Sequence, residues 1–225
     1  MGTRHLICVV SDGKYRVAQY GQWDGYPSGQ GENILNFLKS TKVERLKANL
    51  NKCSWVTSEE YAKLWREYGV NINENNLIDQ EIADKFFKKH PQFSRDTSSD
   101  ILDIIANATG QIKLKNNYDF SRDSVFCEWA YVIDFDNETF EVYKGFNEDP
   151  LKPTDRFYSE VLAEYSIGST YYPVKLVASF NLTALPSTKA FIKICDPPEE
   201  DDEEPEDDAE IAEVEEGSFF NAIKA

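Results

Sequence analysis

A thirteen-residue segment near the start of the chain, QYGQWDGYPSGQG, combines four glycines with three aromatic residues. Its amide, carboxyl and hydroxyl groups can donate and accept hydrogen bonds, and its flat rings can supply contact area. Such a mixture suits sugars, nucleosides or peptides. We therefore predict a binding site for a small molecule or a peptide in this loop, residues 19–31. Its predicted ligand-binding residues are Gln19, Gln22, Trp23, Asp24, Tyr26, Ser28, Gly29 and Gly31.

The same loop also has a purely structural interpretation. Its glycines can serve turns, Pro27 can stiffen them, and Trp23 and Tyr26 can pack against a sheet. The backbone of Gly29 to Gly31 leads directly into a helical pattern, and helix N-termini offer N–H donors to anions. The phosphate-binding pattern GK[ST] is absent, however. The residue types leave both interpretations open.

Residues suited to nucleophilic catalysis are few. The chain has two histidines and four cysteines, and only His5 has a cysteine, Cys8, close to it in sequence. Side chains three positions apart on a strand point to opposite faces, which counts against a direct pair. Cys127 lies in an apolar run, where a buried structural thiol is usual. The sequence does not decide whether the protein is an enzyme.

Nothing in the cysteine and histidine spacing indicates a metal site. The four cysteines form no CxxC pair, and no histidine stands at metal-ligand spacing from them. We therefore predict no metal and no cofactor. Free thiols are typical of a reducing compartment. The start of the chain has too short an apolar run for a signal peptide, and no stretch approaches a membrane span. We expect a soluble protein of the cytoplasm or nucleus, with no membrane partner.

The net charge of −16 belongs to one end of the chain. Residues 196–216 hold 14 of the 40 acidic residues and no lysine or arginine, whereas the first 195 residues carry 26 acidic and 23 basic residues. A nearly neutral body argues against binding nucleic acid by electrostatics. The composition predicts an acidic, disordered tail over 196–225. The tail either solubilises the protein or engages a basic protein partner.

The remaining 195 residues have the patterns of one globular α+β domain. Two apolar runs joined by Asp12-Gly13 predict an N-terminal β-hairpin, 6–10 with 15–20. Helical spacing with stop signals predicts a helical insertion over 32–108, and strand patterns return in a hairpin over 126–145 and a strand over 173–182. We expect a mainly antiparallel sheet from these strands. Within the insertion we predict helices at 34–50, 58–68, 78–90 and 101–107; a short strand at 112–115 and a last helix in STKAFIKI complete the predicted elements.

A polar segment, SRDTSSD at 94–100, precedes the fourth of these helices. Arg95 and Asp96 beside a helix start could bind an anion. A helix cap with a solvated ion pair explains them equally well.

Three strings, TRHLICVV…DGKYRVAQYGQWDGYPSGQG, FSRDTSSDIL and FCEWAYVIDFDNETFEVYKGF, resemble a mainly fungal family of cytosolic proteins with looser bacterial and phage relatives. The resemblance covers most of residues 3–185 and implies no established activity. A weaker likeness, a strand at the chain start, is to N-terminal-nucleophile hydrolases and glutamine amidotransferase domains. Their layered fold would make the protein a hydrolase or an amide-transferring enzyme, but position 2 is Gly2, and Thr3 as nucleophile would need a further residue removed. These enzymes, and an interaction protein acting through its tail, are the alternatives to a binding domain.

Overall fold

The computed structural model describes residues 2–72, 74, 77–160 and 171–198. Within these ranges the chain forms six α-helices and a five-stranded, mainly antiparallel sheet, so the predicted α+β class is confirmed. The strands are β1 (His5–Ser11), β2 (Lys14–Gly21), β3 (Cys53–Trp55), β4 (Ile112–Leu114), β5 (Trp129–Asp134), β6 (Thr139–Lys144) and β7 (Lys175–Asn181). The α-helices are α1 (Glu32–Leu38), α2 (Lys42–Asn49), α3 (Ser58–Arg66), α4 (Gln80–Lys89), α5 (Asp100–Ala106) and α6 (Thr188–Cys195). The predicted acidic tail lies, from residue 199 onward, outside the described residues.

Both predicted hairpins form. Strands β1 and β2 pair antiparallel around Asp12 and Gly13, which have φ of 56° and 67°. Two consecutive positive φ angles are what a tight hairpin turn requires, and Asp-Gly supplies them at low cost. Strands β5 and β6 form the second antiparallel pair, and β7 adds to it along β6.

The two hairpins are joined by a parallel pairing that the sequence analysis did not predict. Strand β1 lies beside β5 with His5 opposite Trp129, and the sheet order is β2-β1-β5-β6-β7. A second, two-stranded parallel sheet pairs β3 with β4. β4 matches the predicted strand at 112–115, whereas β3 was not predicted because three residues carry no periodicity.

The sheet is covered on both faces. Helices α1, α2, α5 and α6 pack on one face against side chains such as Ile7, Tyr131 and Phe140. The other face, with Leu6 and Cys8, is covered by segments 118–127, 151–157 and Val174. A strand buried on both sides needs apolar residues at consecutive positions, and both β1 and β5 have them.

Helices α3 and α4 form a separate cluster with Trp65 stacked on Phe86, 3.8 Å between ring centroids. A capping box begins α3, since Thr57 and Glu60 each accept a hydrogen bond from the other's backbone N–H. The helix predicted over 34–50 is interrupted between α1 and α2, where the Ser40 hydroxyl donates to Phe37 O and accepts from Lys42 N. The helix predicted over 78–90 begins at Gln80, and Ile78 is 39% exposed.

None of the helices in the described part of the chain has the length and apolar character needed to span a bilayer.

Candidate functional site

The loop of residues 19–31 connects the end of β2 to α1, and its last five residues, Pro27–Gly31, form one turn of π-helix that continues into α1. Backbone hydrogen bonds fasten it to three other parts of the chain. Gln22 N donates to Arg95 O, and Gly25 N donates to Thr3 O at 2.9 Å. The buried Tyr131 hydroxyl donates to Gly25 O at 2.7 Å. The loop is therefore a fixed structure between β1, β5 and the 94–99 segment.

The loop needs glycine because neighbouring atoms leave no space for a side chain, and not because of its backbone angles. None of its four glycines has a positive φ; in the described residues only Gly13 and Gly69 do. A Cβ atom on Gly25 would lie 2.7 Å from Thr3 O and 2.8 Å from His5 Cβ, and one on Gly31 would lie 2.9 Å from the Tyr131 hydroxyl oxygen. Contacts this short do not occur, so these positions exclude any side chain. Gly29 and Gly31 do lie in a turn, as expected, but the structure requires glycine at positions 25 and 31 because of the lack of space and not because of the turn angles.

His5, the first residue of β1, lies beneath the loop and is fully buried. Gly21, its partner across the hairpin, and Gly25 leave the room that its ring occupies. Neither ring nitrogen has a hydrogen-bond partner in the described part of the chain. Burial lowers the pKa of His5 to about 4, against smaller opposing effects of the Thr3 carbonyl and Asp24. The imidazole is therefore neutral at pH 7.

Two predicted site residues hold the loop instead of facing outward. Gln19 is buried, and its amide donates to Tyr20 O and Ser94 O. The Gln22 side chain accepts from the Tyr20 hydroxyl at 2.6 Å. The side-chain amides of these two residues form hydrogen bonds within the protein, as buried and half-buried amides must.

The Gly29–Gly31 backbone, predicted to donate to a ligand, is likewise engaged. Gly29 N and Gly31 N donate to Tyr26 O, and Gln30 N donates to Asp24 O at 2.8 Å. These N–H groups close the π-turn and are not free to bind an anion. Gly31 itself is buried against Tyr131.

The exposed side of the loop is formed by Trp23, Asp24, Tyr26 and Ser28. Trp23 is 45% exposed and Tyr26 is 38% exposed, so the alternative in which both rings pack against the sheet is not met. Trp23 Nε1 donates to Asp96 Oδ1 at 2.8 Å, and the Tyr26 hydroxyl donates to Asp24 Oδ1 at 3.1 Å. Each ring is thus held by its polar edge while a substantial part of its surface faces solvent.

The polar segment at 94–100 lies directly against the loop. Besides the Trp23–Asp96 bond, Ser99 donates to Gln30 Oε1 through both its backbone N–H and its hydroxyl, the latter at 2.7 Å. Ser99 is the N-cap of α5 but makes no side-chain cap bond, because its hydroxyl is used by the loop. The interpretation of this segment as a simple helix cap is corrected accordingly.

Ser98 in the same segment has a left-handed backbone, with φ of 46°. It is 4% exposed, and its hydroxyl oxygen and His5 Nε2 both border the space in front of Gly21 Cα. The two groups are therefore close neighbours beneath the loop. Sequence spacing gave no sign of this pairing, because 93 residues separate them.

The cysteines do not contribute to this site. All four are free thiols, and Cys8 lies on the sheet face opposite His5, as its position in the strand predicted. Burial raises the pKa of Cys8 and of Cys127 well above the ordinary value. A thiol that stays protonated is a poor nucleophile. Among the described residues no group of three histidine, cysteine, aspartate or glutamate side chains is placed to hold a metal ion.

A separate cavity of about 430 Å³ lies on the other face of the sheet, bordered by Tyr15, Tyr143 and Arg156. Arg156 donates to Glu141 through two nitrogens and to Asp134 at 2.6 Å. Although burial alone raises the pKa of Asp134, hydrogen bonds from Arg156 and Asn137 outweigh it and hold that pKa below its ordinary value. This ion-paired group ties the 151–157 segment to β6, and the sequence analysis did not predict it.

Comparison of the chain with protein-family models, with curated proteins and with solved structures found no match. The resemblances described from the sequence therefore stay predictions.

We predict that Gly25→Ala lowers the free energy of unfolding by about 1–3 kcal/mol, because the added methyl group must displace Thr3 or His5. Gly110→Ala is the matched control, since a Cβ there meets nothing within 4 Å. Urea denaturation followed by circular dichroism measures both. Equal effects of the two substitutions would show that the loop tolerates the extra atom.

We also predict that His5 makes stability depend on pH. Its folded-state pKa of about 4 lies below the ordinary 6.5, so the unfolded chain binds the proton more readily. Stability is then constant above pH 6.5 and falls by roughly 3 kcal/mol as the pH drops to 4. In His5→Gln the free energy of unfolding no longer contains the pH-dependent contribution of His5. The contributions of the carboxylates and of His90 are the same in both proteins and cancel when the two curves are subtracted. Parallel curves for the two proteins between pH 4 and 6.5 would contradict the assignment.

Proposed function

We propose that the protein is a binding domain for a small ligand or a peptide, and that its site is the exposed side of the loop 19–31. Trp23, Asp24 and Tyr26 are the ligand contacts, with Ser28 beside them. Gln19, Gln22, Gly29 and Gly31 act indirectly, by fixing the loop that presents these three residues.

One observation carries this proposal: two large aromatic rings are held on the surface by hydrogen bonds from Trp23 to Asp96 and from Tyr26 to Asp24. Aromatic rings are the side chains that gain most by burial, so leaving two of them in water forgoes stabilisation. A ring already fixed in one orientation loses little conformational entropy when a ligand covers it. Exposed and preorganised aromatic surface is therefore suited to binding.

The anchoring of the loop supports the same function. Its backbone is tied to β1, β5 and the 94–99 segment, and its glycines fit closely over His5 and Tyr131. A contact surface built on such a base keeps its shape without the ligand, which is the condition for tight and specific recognition.

We predict that Trp23→Ala and Asp24→Ala each weaken ligand binding at least about tenfold, a loss of roughly 1.4 kcal/mol, and leave the melting temperature nearly unchanged. The measurement is a screen of aromatic and polar fragments and short peptides against the ¹⁵N-labelled full chain by NMR. The Trp23 indole N–H resonance, assigned with Trp23→Phe, reports binding at the loop in the wild type and in Asp24→Ala, and the backbone amides of residues 22–26 report it in Trp23→Ala. Phe146→Ala, which removes an exposed ring elsewhere, is the control and leaves binding intact. If both loop variants unfold the protein, or if ligands shift only signals outside the loop, the site is not here.

A second candidate function, hydrolysis of an ester or amide, is favoured by the Ser98–His5 arrangement. A non-glycine residue in a left-handed conformation is strained, and such strain clusters at active sites. The neutral imidazole and the Ser98 hydroxyl border the same space without a hydrogen bond between them, and a small movement that joins them would make His5 a general base for a serine nucleophile. Access to Ser98 requires the loop to move, because the residue is almost fully buried.

We predict for this candidate that a fluorophosphonate probe labels Ser98, with an oxygen–phosphorus bond formed and fluoride released. Intact-mass spectrometry of the full chain detects the single adduct. Ser98→Ala abolishes it, Ser99→Ala retains it, and His5→Gln slows labelling by about 10²–10⁴-fold. An unlabelled wild-type protein after prolonged exposure removes hydrolysis from consideration.

A further inference from the structure

We infer that the loop binds a positively charged side chain, lysine or arginine, presented by a peptide. This inference rests on the proposed binding function of the loop and adds the chemical class of its ligand. It follows from the ring surfaces, the carboxylates and the groove that adjoins them.

Part of each ring is available to a cation. The Trp23 and Tyr26 residues are 45% and 38% exposed, and their hydrogen bonds use atoms in the ring planes, while Gly2 lies against the six-membered ring of Trp23. Four cation–π contacts occur in the described residues, and none of them uses either ring. The face of an aromatic ring carries the negative part of its quadrupole and attracts ammonium and guanidinium groups, most strongly for tryptophan.

The carboxylates beside these rings are incompletely balanced. In the described part of the chain, Asp24 accepts a hydrogen bond from Tyr26 and lies within ion-pair distance of no lysine or arginine. Asp96 has Arg95 at 3.9 Å, but both side chains are more than half exposed, and a pair of this kind is weak. A cation over the rings would meet at least one carboxylate in need of a partner, whereas an anion would be repelled.

A peptide fits this surface better than a free cation. A groove of about 340 Å³ begins at Ser99, which is bonded to Gln30 of the loop, and is bordered by Asn33, Asn36 and Asp100. Lys42 also borders it, and its charge is paired with Asp103 at 2.7 Å. Amide and carboxylate side chains of this kind can hydrogen-bond the backbone of residues that flank the cation. On so open a surface a free cation would be screened by salt and weakly held. The acidic segment 196–216 of the chain itself has the wrong charge to be the occupant.

The experiment compares two peptides that differ in one charge, Ac-GSGKGSG-NH₂ and the same peptide with its lysine Nε-acetylated. Each is titrated into the ¹⁵N-labelled full chain, and the Trp23 indole N–H is followed. We expect the lysine peptide to shift this resonance with an affinity at least about tenfold higher than the acetylated one. Asp24→Asn, followed at the Trp23 indole, and Trp23→Ala, followed at the backbone amides of residues 22–26, abolish the difference. Glu148→Gln, an exposed site remote from the loop, removes the same charge and preserves it.

The outcomes separate this inference from the proposed function. Equal binding of both peptides at Trp23 overturns the cation requirement while the loop stays a binding site. Shifts confined to signals outside the loop also overturn it, since they would report electrostatic attraction to the rest of this acidic chain. If neither peptide shifts Trp23 but fragments do, the ligand class is wrong and the function stands. If the fragments also leave the Trp23 resonance unshifted, both the ligand class and the proposed binding function are wrong.

Discussion

The burial of strand β1 is the constraint on which the rest of the structure depends. Its residues Leu6 to Val10 are almost completely excluded from water, and both of its edges are paired, antiparallel with β2 and parallel with β5. Helices must therefore cover one of its faces and the 118–127 and 151–157 segments the other. The strand begins with His5, a polar residue with no hydrogen-bond partner in the described residues, so its first position costs free energy that the remaining strand offsets. The residues that pack around His5 must accommodate this buried imidazole.

The shape of the 19–31 loop follows from this position. Gly21 and Gly25 close over the imidazole because any side chain there would collide with it. The loop passes so near the sheet that no large ring fits between them. Trp23 and Tyr26 consequently lie on the outer side of the loop. Asp96 and Asp24 then fix the rings by their polar edges. The same packing that excludes the rings from the core makes them a preorganised surface, so structural support and candidate binding belong to one arrangement.

Local patterns were sufficient to predict most of the elements and insufficient to predict what the loop residues do. Asp12-Gly13 predicted its hairpin, and the helical spacing over 58–68 predicted α3, because each signal acts within a few residues. The loop was singled out from its composition, but the sequence did not show that Gly25 and Gly31 are needed for the space that His5 and Tyr131 occupy. That role depends on residues far away in sequence. The pairing of β1 with β5, the neighbourhood of Ser98 and His5, and the bonds from Arg156 to Glu141 are likewise long-range and leave no periodic trace.

The parallel contact between β1 and β5 also governs how the chain reaches its structure. His5 pairs with Trp129, so β1 finds its second neighbour only after more than half of the chain is available. Long-range pairings of this kind close a large loop before any stabilisation is gained, and they slow folding. During synthesis the β1–β2 hairpin is made before β5, and the edge of β1 that pairs with β5 stays exposed until then. The protein is thus most open to mispairing early in its synthesis, before the segment that completes its sheet has left the ribosome.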